Sequence, residues 1–164
     1  MGKNTTLVVA ILITILWIGA VGGAIFVHWN VTKDTIAWLD RAQVASNPED
    51  MQDYLIKSKN GMDKWDLTDG YAAIIWRTPQ NYMPLVVEAL DRSIERCEYM
   101  KEFTRTSIEY QVALDDVRGQ LRELDLHTPY SWWVNHLVFL FWIWFGWLPT
   151  AISWCCVAAD RDWV

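Results

Sequence analysis

Charged side chains are missing from two long stretches, residues 7–27 and residues 131–159, and are frequent between them. A helix rises about 1.5 Å per residue and a bilayer core is about 30 Å thick, so about 20 apolar residues make one crossing. Both stretches reach that length. The pattern predicts an all-α membrane protein, with two transmembrane helices and an intervening helical hairpin or small bundle. Its organisation reads as a short N-terminal tail (1–6), transmembrane helix 1 (7–27) and an acidic extramembrane helical region (28–130). An aromatic-rich transmembrane helix 2 (131–159) and a short C-terminal tail (160–164) follow.

In the middle region the polar and apolar positions alternate with helical periods. Residues 28–45 continue the first helix outward, with Ile36, Trp38 and Leu39 set apart from Asp34, Asp40 and Arg41. Ser46-Asn47-Pro48-Glu49-Asp50 is a helix start. Asn47 caps, Pro48 suits the first helical position, and the acids face the positive end of the dipole. Met51, Tyr54 and Leu55 supply the apolar face, and Asn60-Gly61 reads as the stop. Residues 71–76 form an apolar run, either a short helix or a buried extended piece, ended by Thr78-Pro79. The longest soluble pattern covers residues 84–124, with Leu90, Ile94 and Cys97, then Tyr110, Leu114, Val117, Leu121 and Leu124. Steps of four and three are the spacing of a coiled-coil seam. This helix is expected to pack on the continuation of the first, and to lead into the second span with an interruption near Thr128-Pro129.

Inside the first stretch, Thr14 is the strongly polar side chain, and its hydroxyl can bond back to the preceding turn. Gly19 and Gly23 are four apart, as are Ala20 and Ala24, and small residues at that spacing let another helix approach closely. Lys3 before an apolar run with small residues near Ala24 has the outline of a cleavable leader, but we read it as a retained signal anchor. In the second stretch, Trp132 and Trp133 suit the interfacial belt. Trp142, Trp144 and Trp147 lie deeper and, with Gly19 and Gly23, are the expected helix-packing residues. Pro149 should kink the helix and leave the Phe145 carbonyl without its donor.

Composition sharpens the picture. Hydrophobic residues make up 52% and charged residues 21%, there are 12 Trp, and the net charge is −6. Lys3 and Arg161 cancel Asp160 and Asp162, so the middle region holds the whole net charge. An acidic centre after a signal anchor favours cytoplasmic termini and an extracytoplasmic centre, in an integral protein of the cell membrane. With no basic face, a nucleic-acid partner is excluded, leaving the lipid bilayer and other integral-membrane subunits as partners. Three cysteines exclude a disulfide scaffold. Cys97 falls on the seam, and Cys155 and Cys156 point to different helix faces.

The candidate chemistry is sparse. His28, His127 and His136 all lie near one end of the two spans. A neutral imidazole can hold haem iron, another tetrapyrrole metal or copper, so His136 and His28 are the candidate cofactor-binding residues. Interfacial hydrogen bonding is the plainer role for both, and no cofactor is required. Asn135-His136-Leu137, followed by Trp142-Ile143-Trp144 and Trp147-Leu148-Pro149, resembles the His-plus-Trp membrane segment of light-harvesting β polypeptides, with a different His-to-Trp spacing. The resemblance implies a pigment and a photosynthetic-complex partner. Asp63, Asp66 and Asp69 lack the spacing of a calcium loop. Glu95, Glu98 and Glu102 have Arg92, Arg96, Lys101 and Arg105 as countercharges, the pattern of a solvated face. No phosphate loop, metal cluster or catalytic constellation is present, so the chain reads as a non-enzyme.

Three functions compete. The first is a noncatalytic accessory or scaffolding subunit of a larger integral-membrane complex. The second is a cofactor-binding membrane subunit of an electron-transfer or photosynthetic complex. The third is a small membrane sensor with a separate output partner.

Overall fold

The computed structural model describes residues 3–124 and 126–160, and among these every regular element is helical. The helices are α1 (Lys3–Asp34), α2 (Ile36–Gln43), α3 (Pro48–Lys64), α4 (Met83–Met100), α5 (Ile108–Glu123), α6 (Thr128–Asn135), α7 (Leu137–Phe145) and α8 (Trp147–Asp160). Two helical stretches, Asn4–Gln43 and Leu137–Ala159, are long and apolar enough to cross a membrane. The chain divides into two compact units, His28–Asn135 and the pairing of Met1–Val27 with His136–Val164.

In the first unit α2 packs on α3, α3 on α4, α4 on α5, and α5 returns to α2. This is a small bundle. Its core takes Leu39 and Ala42 from α2, Met51, Leu55 and Met62 from α3, and Met83, Val86, Leu90, Cys97 and Met100 from α4. Tyr110, Leu114, Val117 and Leu121 complete it from α5. These positions recur every three or four residues, so each helix buries one stripe. Four of the core side chains are methionines.

α3 starts as its sequence demands. The Asn47 side chain accepts from the Asp50 amide at 2.7 Å, and Pro48 opens the helix. Its end corrects the expectation. α3 runs through Gly61 to Lys64, and Gly61 serves packing instead of termination. A Cβ there would land on the Asp34 carbonyl, and 3.2 Å from Thr35 Cγ2. The stop comes five residues later. Asp66 takes a left-handed φ of 54°, its amide bonds to Asp63, and the Leu67 amide bonds to the Met62 carbonyl at 3.0 Å. That is a Schellman ending, and its two hydrophobic partners, Met62 and Leu67, are fully buried.

Three further expectations change. The pattern over residues 84–124 is two helices, because Ser107 starts a new one by accepting from the Tyr110 amide at 3.1 Å. The apolar run 71–76 is neither helical nor buried as a whole. Ala72 is buried, whereas Ile74, Ile75 and Trp76 stand exposed. The second apolar stretch also begins later than its lack of charge suggests. Residues 131–135 sit in α6 within the bundle unit, with Ser131 buried, and the long apolar helix starts at Leu137.

Candidate functional site

The apolar unit is held by a seam that includes Ala24 but neither Gly19 nor Gly23. Along α1, Ala10 and Ala24 are buried and Thr14 and Trp17 half-buried. Steps of four, three and seven place them on one side of the helix. The Thr14 hydroxyl donates back to the Ala10 carbonyl at 2.8 Å, as expected, and also accepts the Trp154 indole N–H at 3.0 Å. The Trp17 indole N–H donates to the Ile143 carbonyl at 3.2 Å. These two bonds cross between α1 and the α7–α8 stretch, where an indole donor in an apolar setting needs an acceptor.

Helix α7 ends where Trp17 of α1 approaches its backbone. The break is at Gly146, three residues before Pro149, and the Gly146 amide bonds back to Trp142 at 2.7 Å. A Cβ on Gly146 would strike the Trp142 carbonyl and lie 2.6 Å from Trp17 Cδ1. Gly146 therefore gives Trp17 its place. Sequence reasoning missed both residues. The signal was present as a Gly three residues ahead of Pro149, together with the heptad spacing of Ala10, Trp17 and Ala24.

The residues singled out from sequence for helix packing lie elsewhere. Nothing among the described residues comes within 4 Å of a Cβ built on Gly19, Gly22 or Gly23. Trp142, Trp144 and Trp147 are 41%, 68% and 51% exposed. Phe141 and Phe145 lie together, with ring centroids 4.6 Å apart, in an open apolar groove that Leu137, Val138, Leu140 and Trp144 complete.

The histidines do not assemble in one unit. His28 is exposed within the bundle unit, where its carbonyl accepts from Thr32 at 2.9 Å. His136 is exposed in the apolar unit, at the interruption between α6 and α7, and its carbonyl accepts the Phe139 and Leu140 amides. His127 is half-buried with its ring edge-on to Tyr130 at 6.1 Å. Among the described residues no three His, Cys, Asp or Glu side chains come together as a metal cluster.

The bundle carries a buried polar knot instead. The Thr35 and Thr128 hydroxyls lie 2.7 Å apart, and Thr35 also bonds to the Val31 carbonyl. Ser58 donates to the Thr35 carbonyl at 3.0 Å. Thr35, Ser58, Thr128 and Ser131 are all buried. The knot ties α3 and α6 to the interruption between α1 and α2. Beside it, Asp34 accepts from Lys64 at 2.6 Å and from the Trp65 indole at 3.0 Å.

Other titratable groups serve the surface. Glu98 accepts from Lys101 and from Gln52, and Lys101 with Gln52 holds its carboxyl below the usual carboxylate range. Arg96 pairs with Asp116 at 2.7 Å. An exposed pair such as Arg96–Asp116 contributes about 0–1 kcal/mol. Burial pushes the Cys97 thiol up to about 11, against the opposing pull of Lys101, which removes it from the reactive thiols. Two shallow clefts flank α4. One, of about 300 Å³, includes Arg92, Arg96 and Gln120, and the other, of about 270 Å³, includes Gln80, Glu123 and His127. Neither brings together a nucleophile, a base and an oxyanion donor. No known protein family matches the chain, and neither do any curated proteins or solved structures.

Proposed function

We propose that the chain is a noncatalytic accessory or scaffolding subunit of a larger integral-membrane complex. Its two apolar helices cross the bilayer, and its acidic bundle is held at the surface, on the extracytoplasmic side of the cell membrane with both termini cytoplasmic. The observation that carries this reading is the open glycine face of α1. One side of α1 is filled by the chain's own Trp17–Ile143 and Thr14–Trp154 bonds. Gly19, Gly22 and Gly23 are left uncovered by the other described residues, beside Ile15, which is 59% exposed. Lipid chains gain nothing from a glycine groove, whereas a neighbouring helix can lay its backbone into it. The exposed indoles of α7 and α8 offer a second, broader surface to other integral-membrane subunits.

The test is gentle purification from the native membrane. Stoichiometric membrane partners are expected to copurify with the natural chain. The double substitution Gly19→Leu and Gly23→Leu should reduce their yield about tenfold, which corresponds to about 1.4 kcal/mol of lost packing. Helical content should stay unchanged, because among the described residues nothing lies within 4 Å of a Cβ built at either position. A stable monomer without partners, or full recovery of partners by the leucine variant, sinks the reading. Protease treatment of sealed vesicles checks the topology, since both termini should be protected from the side on which residues 28–135 are cut.

A further inference from the structure

The loop between α3 and α4 presents apolar side chains in an ordered frame. Tyr71 and Tyr82 face each other across an isolated antiparallel bridge, with ring centroids 4.8 Å apart. The Ala72 amide bonds to the Asn81 carbonyl at 2.8 Å, and the Met83 amide to the Gly70 carbonyl at 3.0 Å. These contacts close the base. Asn81 then orders the tip, donating to the Trp76 carbonyl at 2.8 Å and accepting from the Thr78 amide at 3.0 Å. A short 3₁₀ turn, Pro79–Asn81, stiffens the return. Yet Ile74, Ile75 and Trp76 are 49%, 76% and 79% exposed. Three consecutive apolar residues held out by a fixed loop indicate a surface that covers them.

The loop's position within the bundle unit says which surface. Gly70, at its base, lies against Asn135, whose side-chain oxygen is 3.7 Å from where a Gly70 Cβ would sit. Asn135 is the last residue of α6, and the apolar helix Leu137–Ala159 begins two residues later. The loop therefore springs from the end of the bundle at which the chain enters its second apolar helix. Five residues from Gly70 to Ile75 span at most about 17 Å, more than the thickness of one headgroup layer. Residues 70–76 carry no charge. Arg77 follows immediately, with its guanidinium 5.2 Å from the Tyr71 ring. An apolar tip with tryptophan, flanked by tyrosine and a cation, is the composition of the bilayer interface.

We propose that this loop dips Ile74, Ile75 and Trp76 into the interfacial layer of the bilayer, as a third point of attachment beside the two apolar helices. The assignment rests on the membrane reading above. The occupant is a lipid surface, with Arg77 at the level of the headgroup phosphates.

Lipid-borne quenchers test it. Cys155→Ala and Cys156→Ala leave the buried Cys97 as the only natural thiol, and a single Ile75→Cys then takes a fluorescent label. Trp76→Cys serves as a second, independent position. Each full-length chain is reconstituted in phosphatidylcholine vesicles with nitroxide lipids carrying the quencher near the headgroup or deep in the chain. Ile15→Cys reports the first apolar helix. Glu102→Cys reports the far end of α4, about 27 Å of helix away from the loop. The labels at 75 and 76 should be quenched at least twofold by the shallow nitroxide, with little effect at 102, and the label at 15 by the deep one. Quenching at 15 with none at 75 or 76 overturns the loop assignment and leaves the membrane reading standing. Absence of quenching at all four positions overturns both. Labels at 75 and 76 that escape lipid quenchers and are also shielded from aqueous iodide show the loop covered by protein, from the same chain or a second copy, which overturns the lipid assignment.

Discussion

Gly61→Val is expected to lower the stability of the bundle by about 3 kcal/mol, at the upper end of what overpacking costs. For a domain of this size that lowers the melting temperature by roughly 15 °C, measurable by circular dichroism on the full chain in detergent micelles. The cause is backbone against backbone. The new Cβ meets the Asp34 carbonyl, which cannot rotate away as a side chain does, and then Thr35 Cγ2 at 3.2 Å. Moving Asp34 also disturbs its bonds to Lys64 and Trp65, and moving Thr35 disturbs the hydroxyl pair with Thr128. Gly119 in α5 is the natural control, because among the described residues nothing lies within 4 Å of a Cβ built there. Gly119→Ala should stabilise by roughly 0.5–1 kcal/mol, the ordinary gain from removing a helical glycine. If Gly61→Ala stabilises as Gly119→Ala does, the close approach to Asp34 is not a feature of the folded chain.

Gly146→Leu should be the most damaging change in the apolar unit. Its side chain takes the space of the Trp17 ring, so the Trp17–Ile143 bond is lost together with the packing around it. We expect a loss of about 3 kcal/mol, read as a lower midpoint in sodium dodecyl sulfate titrations of the chain in mixed micelles. Trp17→Phe removes the indole donor while keeping an aromatic ring, and should cost about 1 kcal/mol. In the Gly146→Leu background the same Trp17→Phe change should cost almost nothing more, since the bond is already gone. Full additivity of the two changes, or an unmoved midpoint for Gly146→Leu, contradicts the seam.

The helical class, the start of α3 and most core positions were legible because they follow from local rules. Asn47-Pro48-Glu49-Asp50 is a helix start in any context, Leu90 and Cys97 keep one helical period within α4, and Tyr110, Leu114, Val117 and Leu121 keep another within α5. What stayed hidden depended on contacts between distant segments. Gly61 looks like a terminator until the Asp34 carbonyl is placed beside it. Gly19 and Gly23 are, with Gly22, the smallest residues of the first apolar stretch, yet the chain's own seam runs through Ala10, Thr14, Trp17 and Ala24. Thr14 and Trp154 supply complementary polar atoms there, and that pairing outweighs residue size. The run 71–76 misled for a related reason. Its apolar character implies burial, but the hydrogen bonds of Asn81 hold the tip out from the bundle.

Met51, Met62, Met83 and Met100 are all fully enclosed in the bundle core. Thioethers are the groups that peroxide converts to sulfoxides, and the products are too polar for an apolar interior. Oxidant damage at these four sites is therefore gated by transient opening, and each sulfoxide formed prevents the bundle from closing properly again. How often the bundle opens therefore sets how fast these four sulfur atoms meet an oxidant.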